Sequence, residues 1–255
     1  MSNGGIIGLK NSPTTVSASG VWGLREQTRA QRDSLWPSKS YVKDGLLMYL
    51  DAGNSASYSG SGTTWFDISG NNRNMTLFNG VGYDSVDGGR LIFDGFNDYA
   101  QISNCGISTG ANVAHTIEMW VNFNVIVSTR WWLALLGTYG AGAHHWIGVS
   151  ATGTQFGAFG GSPQTVPNLI GTNTWLQICG TFSGSTLTTY VNSANPVVGT
   201  GSGFNFTSSN FTIGLRLGTE NYYNGRVAIT RLYNRALTAG EVQTNFAANR
   251  ERFGL

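Results

Sequence analysis

The chain has 255 residues, enough for one large β domain or for one domain with an appended arm. Charged residues make up only 11% and the net charge is +2, which excludes a nucleic-acid binder that relies on a clustered basic face. An apolar share of 40% excludes disorder, and no 18-residue apolar run is present to cross a membrane as a helix. The 36 glycines are about twice the usual share and, with many Asn, Ser and Thr, predict short strands joined by tight turns. Met1 to Lys10 lack the basic head and apolar segment of a secretory signal, so none is expected. Cys105 and Cys179 stand in strand-like surroundings and are expected as two free buried thiols of a protein made in a reducing cytosol.

In chain order, residues 1–44 form an arm of different character. Six cations (Lys10, Arg25, Arg29, Arg32, Lys39, Lys43) face three carboxylates (Glu26, Asp33, Asp44), a local +3. A short helix is predicted from Leu24 to Arg32, and Trp36-Pro37 closes it, because proline disfavours helix at the preceding residue. Trp22, Leu24, Leu35 and Trp36 are apolar groups without a core of their own, so the arm must dock. Its surface is either its own domain or another subunit.

From Gly45 to Leu255 the pattern is that of a single β domain. Leu46 to Asp51 is the first strand, and Leu91–Asp94 and Tyr99–Ile102 flank the turn Gly95-Phe96-Asn97-Asp98. Ile117, Met119, Val121 and Phe123 alternate cleanly within Thr116–Phe123. Trp175–Phe182 does the same, and Ser183-Gly184 joins it to Leu187–Val191 as a hairpin. About a dozen strands at this spacing predict a two-sheet sandwich. Near the end, Val227, Ile229 and Leu232 read as a strand. Thr238 and Glu241 then form a capping box, with Leu237 and Val242 as its hydrophobic staple.

Several phrases, in this order, resemble the laminin-G-like, concanavalin A-type jelly-roll family. They are Gly45 to Asp51, Trp65-Phe66-Asp67-Ile68-Ser69-Gly70-Asn71, the Phe93-Asp94-Gly95…Asp98-Tyr99 hairpin, Thr116 to Val121, Thr174 to Gly184, and Asn224 to Val242. The family's Trp-His-His is here Trp175-Leu176-Gln177, and its Val-Asp-Gly turn is Val191-Asn192-Ser193. The resemblance implies an all-β, two-sheet antiparallel jelly-roll sandwich with an N-terminal arm containing a short helix and a C-terminal capped helix. Separately, Ser17 to Trp22 and Leu35-Trp36-Pro37 resemble the leader of bacteriophage virion proteins, those of cyanobacterial phages in particular.

Some relatives of this fold cleave glucans, which requires two facing carboxylates. The five glutamates here are Glu26, Glu118, Glu220, Glu241 and Glu251, none with an acidic residue two positions away, so no enzyme is expected. No nucleophile elbow accompanies His115, His144 and His145, and the two cysteines lack metal-ligand spacing. Asp94 and Asp98 around Gly-Phe-Asn are the candidates for calcium, which some family members bind; no cofactor is otherwise expected. Their alternative role is to accept turn N–H groups.

Sugar binding uses aromatic faces with oriented polar partners. The adjacent groups Trp131-Trp132, His144-His145-Trp146 and Tyr222-Tyr223 are the candidates for a glycan or for a protein interface. Neighbours on a strand face opposite ways, so one member of each is expected in the core and the other exposed. Together these readings predict a non-catalytic virion protein, a capsid decoration or a tail or fibre adhesin, assembled in the host cytoplasm. Its partners would be other virion proteins, a host-surface glycan and further copies of itself. A stand-alone lectin is the alternative, and a glucan hydrolase the least favoured.

Overall fold

The computed structural model describes residues 25, 40–126, 131–138, 144–150, 153–158, 164–167, 171–201, 204–215 and 222–255. The strands are β1 (Leu46–Asp51), β2 (Thr64–Trp65), β3 (Met75–Phe78), β4 (Gly82–Asp84), β5 (Arg90–Asp94) and β6 (Tyr99–Ile102). They continue as β7 (Gly110–Ala111), β8 (His115–Phe123), β9 (Trp131–Gly137), β10 (His144–Ser150), β11 (Gly153–Ala158) and β12 (Gln164–Pro167). The last are β13 (Trp175–Phe182), β14 (Thr186–Val191), β15 (Ala194–Thr200), β16 (Asn205–Phe206), β17 (Phe211–Ile213) and β18 (Asn224–Tyr233).

Two eight-stranded antiparallel sheets face each other. One runs β15-β14-β13-β8-β18-β5-β4, with β1 also paired to β18; the other runs β12-β11-β10-β9-β17-β6-β3-β2. β18 is shared along its length: Asn224–Val227 pairs with β5, and Ile229–Tyr233 with β1. Alternation built the inner faces as expected. Ile117, Met119, Val121 and Phe123 of β8 lie in one buried cluster with Leu77, Ala100, Phe211 and Ile213 of the opposite sheet. The predicted β13–β14 hairpin is present, with Gly184 at φ +97° in its turn.

Three sequence expectations are corrected. The alternation of Val227 and Ile229 is broken by a bulge between them, so Val227 stays in the inter-sheet core while Ile229 joins the outer face. A bulge inserts one residue and so reverses every later side chain. β5 and β6 do not form a hairpin: β5 pairs with β4 and β18, and β6 with β3 and β17, so residues 95–98 arch from one sheet to the other. The strands also exceed a dozen, because short two-residue pieces such as β2, β7 and β16 leave little periodicity to read.

The outer face of the β8 sheet is covered by helix α1 (Ala239–Asn249) and the 3-10 turn Arg250–Phe253. The capping box is formed: Thr238 Oγ1 accepts from Glu241 N at 3.3 Å, and Thr238 N donates to Glu241 Oε2 at 2.8 Å. Leu237 and Val242 are buried in one cluster, as a staple requires. Phe246 and Phe253 stack on Trp120 at 5.7 and 4.5 Å. Arg252 then ties the chain end down, donating to Asp51 Oδ1 and the Asp87 carbonyl, each at 2.7 Å.

Residues next to the first strand belong to this layer. Val42 N donates to Asn245 Oδ1 at 2.7 Å, and the Val42 carbonyl accepts from Tyr233 OH at 3.0 Å. Of the predicted arm helix only Arg25 is described, in helical conformation; Trp22, Leu24, Leu35 and Trp36 lie outside the described residues. Both cysteines are buried free thiols, as expected.

Candidate functional site

The arch between β5 and β6 is built by its two aspartates. Asp94 Oδ1 accepts from Phe96 N at 2.7 Å and Asn97 N at 3.3 Å, the Asx-turn pattern. Asp98 Oδ2 accepts from Asp94 N at 3.1 Å. Gly95 has φ +80°, and a Cβ there would sit 2.7 Å from Asn224 Cβ, so glycine is required on both counts. The folded-back turn has no room for its middle side chain on the inside, and Phe96 is left 77% exposed.

Beside Phe96 stands Tyr222, whose neighbour Tyr223 anchors the segment. Tyr223 is 1% exposed and donates from its hydroxyl to the carbonyls of Asn122 (2.8 Å) and Arg226 (3.0 Å). Burial among Phe93 and Phe123 pushes its phenol far above the usual range. Tyr222, facing the other way, is half-buried. Gly95, Phe96, Asn97 and Tyr222 line a cleft of about 400 Å³.

Polar groups round the cleft are oriented in series. Arg226 Nη1 donates to Asn124 Oδ1 at 2.5 Å, Asn124 Nδ2 to Asn224 Oδ1 at 2.8 Å, and Asn224 Nδ2 to the Asp94 carbonyl at 3.1 Å. These bonds fix which end of each amide is nitrogen. Asn79 Nδ2 donates to the Asn97 backbone carbonyl at 2.8 Å, and the Asn97 side-chain amide makes no hydrogen bond among the described residues. An exposed aromatic, a half-buried tyrosine and an uncommitted amide make an apolar floor with directional polar contacts.

The sequence-stated candidates fare differently. Of the tyrosine pair, Tyr223 is in the core as expected of one member, while Tyr222 is half-buried rather than exposed. His144, His145 and Trp146 do not divide: they are 0%, 0% and 2% exposed, because both faces of β10 are covered. His145 Nδ1 and His115 Nε2 are 2.9 Å apart in a pocket of Phe182, Phe204 and Phe206. Burial, which disfavours the cation, lowers His115 to about 4 and holds His145 well below its ordinary value. Trp131 and Trp132 open β9, and their side chains lie outside the described residues.

Asp94 is occupied by turn N–H groups. Asp98 is 3% exposed, one oxygen is spent on Asp94 N, and burial raises its pKa. Calcium wants six to eight oxygens. Both carboxylates hold the arch through one oxygen each, Asp98 Oδ1 is buried without a hydrogen-bond partner, and no cluster of three His, Cys, Asp or Glu suited to a metal occurs among the described residues.

The carboxylates that could be suspected of catalysis are engaged as well. Glu118 Oε1 accepts from Arg231 Nη1 and Gln177 Nε2, both at 2.9 Å, and Oε2 from Asn245 Nδ2 at 2.6 Å, with Glu118 and Arg231 wholly buried. Glu241 caps α1 and is gripped by Arg235 at 2.6 and 2.9 Å. Sequence reasoning missed Phe96, Asn97, Asn124, Asn224 and Arg226 as site residues. A legible signal existed at Phe96, a large apolar residue at the tip of a turn whose flanking aspartates already marked it as surface.

Solved structures share this architecture. Domain 4 of AbnA, an extracellular arabinanase of Geobacillus stearothermophilus solved with arabinotriose, superposes with TM-score 0.63 at 16% identity, covering 79% of this chain and 98% of that one. Trypanosoma rangeli sialidase gives 0.62 at 17%, covering 86% of this chain but only 35% of the sialidase. The binding domain of Paraclostridial Mosquitocidal Protein 1 gives 0.59 at 16%, covering 80% and 52%. No curated protein matches the sequence. The family model described as Concanavalin A-like lectin/glucanases superfamily matches residues 93–243, more than half of the sequence, from the last residues of β5 into the first turn of the capped helix. With the two-sheet sandwich and its arch in place, the chain belongs to that superfamily.

Proposed function

We propose that this chain is a non-catalytic recognition module that binds a glycan in the cleft between Phe96 and Tyr222. The observation that carries the reading is Phe96 itself, 77% exposed on a turn made rigid by Asp94, beside an amide that has no other duty. Sugar rings present C–H faces that pack on such aromatics, and hydroxyls that pair with oriented amides. Against catalysis stand Glu118, locked in a buried ion pair, and Glu241, consumed by the helix cap. The arabinanase domain's arabinotriose makes neutral oligosaccharides the first probes. A glycan microarray probed with the full chain tests the reading: signal on defined glycans supports it, and a blank array against a positive lectin control contradicts it.

The finer reading is that the module rides on a bacteriophage particle, as a capsid decoration or a tail or fibre adhesin. Its support is the resemblance of Ser17 to Trp22 and Leu35-Trp36-Pro37 to virion leaders. In this reading the arm, through Trp22, Leu24, Leu35 and Trp36, anchors the module to other virion proteins, and a symmetric assembly multiplies weak glycan contacts. Mass spectrometry of purified particles tests it: hundreds of copies indicate the capsid, a few dozen or fewer the tail, and none leaves the stand-alone lectin.

A further inference from the structure

The cleft does not end at Asn97. On β3 and β6, Met75, Leu77 and Ala100 face the inter-sheet core, so Thr76, Phe78, Tyr99 and Gln101 stand on the opposite, outer face. Phe78 and Tyr99 are register partners and stack at 4.5 Å with their planes 8° apart. Both rings are half-buried, Gln101 likewise, and Thr76 is exposed. Gln101 Nε2 donates to Thr212 Oγ1 at 3.2 Å, which orients the amide and leaves its carbonyl oxygen open. Beyond it Thr212 is 1% exposed, and the open strip stops.

Tyr99 and Gln101 share one face of β6 at two-residue spacing, roughly 7 Å apart, and the strip starts at the arch where Asn97 lines the cleft. Asn79, next to Phe78, already binds the Asn97 carbonyl, which joins strip and cleft through one hydrogen bond. No charged side chain belongs to the strip. Amide, ring and amide in alternation match a ligand that repeats hydroxyls and C–H faces along its length and carries no charge. Cleft and strip together are longer than one sugar ring.

We infer that this strip is a second binding subsite, and that the ligand is an internal stretch of a linear neutral polysaccharide lying from the Phe96–Tyr222 cleft along β6 to Gln101. The inference rests on the glycan reading of the cleft, and the test separates the two. Isothermal titration of the full chain would use two neutral series, α-1,5-arabino-oligosaccharides and β-1,3-gluco-oligosaccharides, from two to six sugars. The expected result is an affinity at least about tenfold higher for the hexamer than for the dimer in the series that binds. Tyr99→Ala and Gln101→Ala should each remove most of that gain while leaving the dimer affinity and the melting temperature close to wild type. Affinity independent of length, or a gain untouched by both variants, overturns the strip and leaves the cleft reading standing. Binding of neither series by a chain that also fails on a neutral-glycan array overturns both.

Discussion

Arg231 Nη1 donates to Glu118 Oε1 at 2.9 Å, and neither side chain has any accessible surface. The pair lies between the β8 sheet and α1, where Tyr49 presents its ring 4.5 Å from the guanidinium carbon. Asn245 links it to the segment before β1 by bonding both Glu118 and Val42 N. A glutamate on a central strand of a glucanase-like sandwich is therefore a structural ion here. Glu118→Gln leaves a buried guanidinium without its counter-charge and should cost roughly 3–5 kcal/mol in urea unfolding. It should leave glycan binding unchanged whenever the variant is folded. Loss of binding at full stability would contradict this assignment.

Acid should loosen the core at the start of β8. His115 is lowered to about 4 by burial, and His145 is shifted the same way. Between pH 6.5 and 4 the unfolded chain takes up protons that the folded core refuses, so stability falls as pH falls through that window. For His115 alone the loss approaches about 3 kcal/mol. Urea midpoints at pH 7.5 and 4.5 check this; equal midpoints would contradict it.

The helix cap gives a smaller and separate effect. Thr238→Ala removes one half of the box and should cost about 1 kcal/mol. Glu241 is lowered to about 2, first by the Arg235 guanidinium, so its contribution is present above the ordinary carboxylate range and is lost as pH falls towards 2. In Thr238→Ala the thermal midpoint should drop by a few degrees at pH 7 with the cleft unaffected.

The arch makes a steric prediction. Gly95→Ala places a methyl 2.7 Å from Asn224 Cβ at φ +80°. It should cost about 1–3 kcal/mol and disturb the Asn224 bond to the Asp94 carbonyl, so glycan binding should fall with stability. Since Asp94 Oδ1 and Asp98 Oδ2 already accept turn N–H groups and no third carboxylate or histidine joins them among the described residues, calcium and chelator should leave the melting temperature unchanged. A rise with calcium would reassign both aspartates.

Much of this was legible from residue order. The alternation in β8 and β13, the Ser183-Gly184 turn and the Thr238–Glu241 box are local signals, and all describe what is seen. The misreadings have non-local causes. A turn signature at Gly95 records that the chain reverses but not which strands its flanks will join, so a cross-sheet arch looked like a hairpin. One extra residue at the β18 bulge moved Ile229 beneath the helix. His144 to Trp146 read as half-exposed because a strand with both faces covered has the same local composition as one with a wet face. The cleft depends on Asn224 meeting Asp94 across 130 positions, and on Asn124 bonding Asn224 and Arg226 across 100 and 102, which no local pattern carries.

The measurement closest to the central claim is a parallel titration of wild type, Phe96→Ala and Tyr222→Ala with the neutral oligosaccharide that gives the strongest microarray signal. Phe96 is exposed and Tyr222 half-buried at the cleft wall, so both variants should fold and melt close to wild type. The account predicts that each weakens binding by about tenfold or more. Unchanged affinity in both, with folding intact, would contradict it and remove the cleft as the site of recognition.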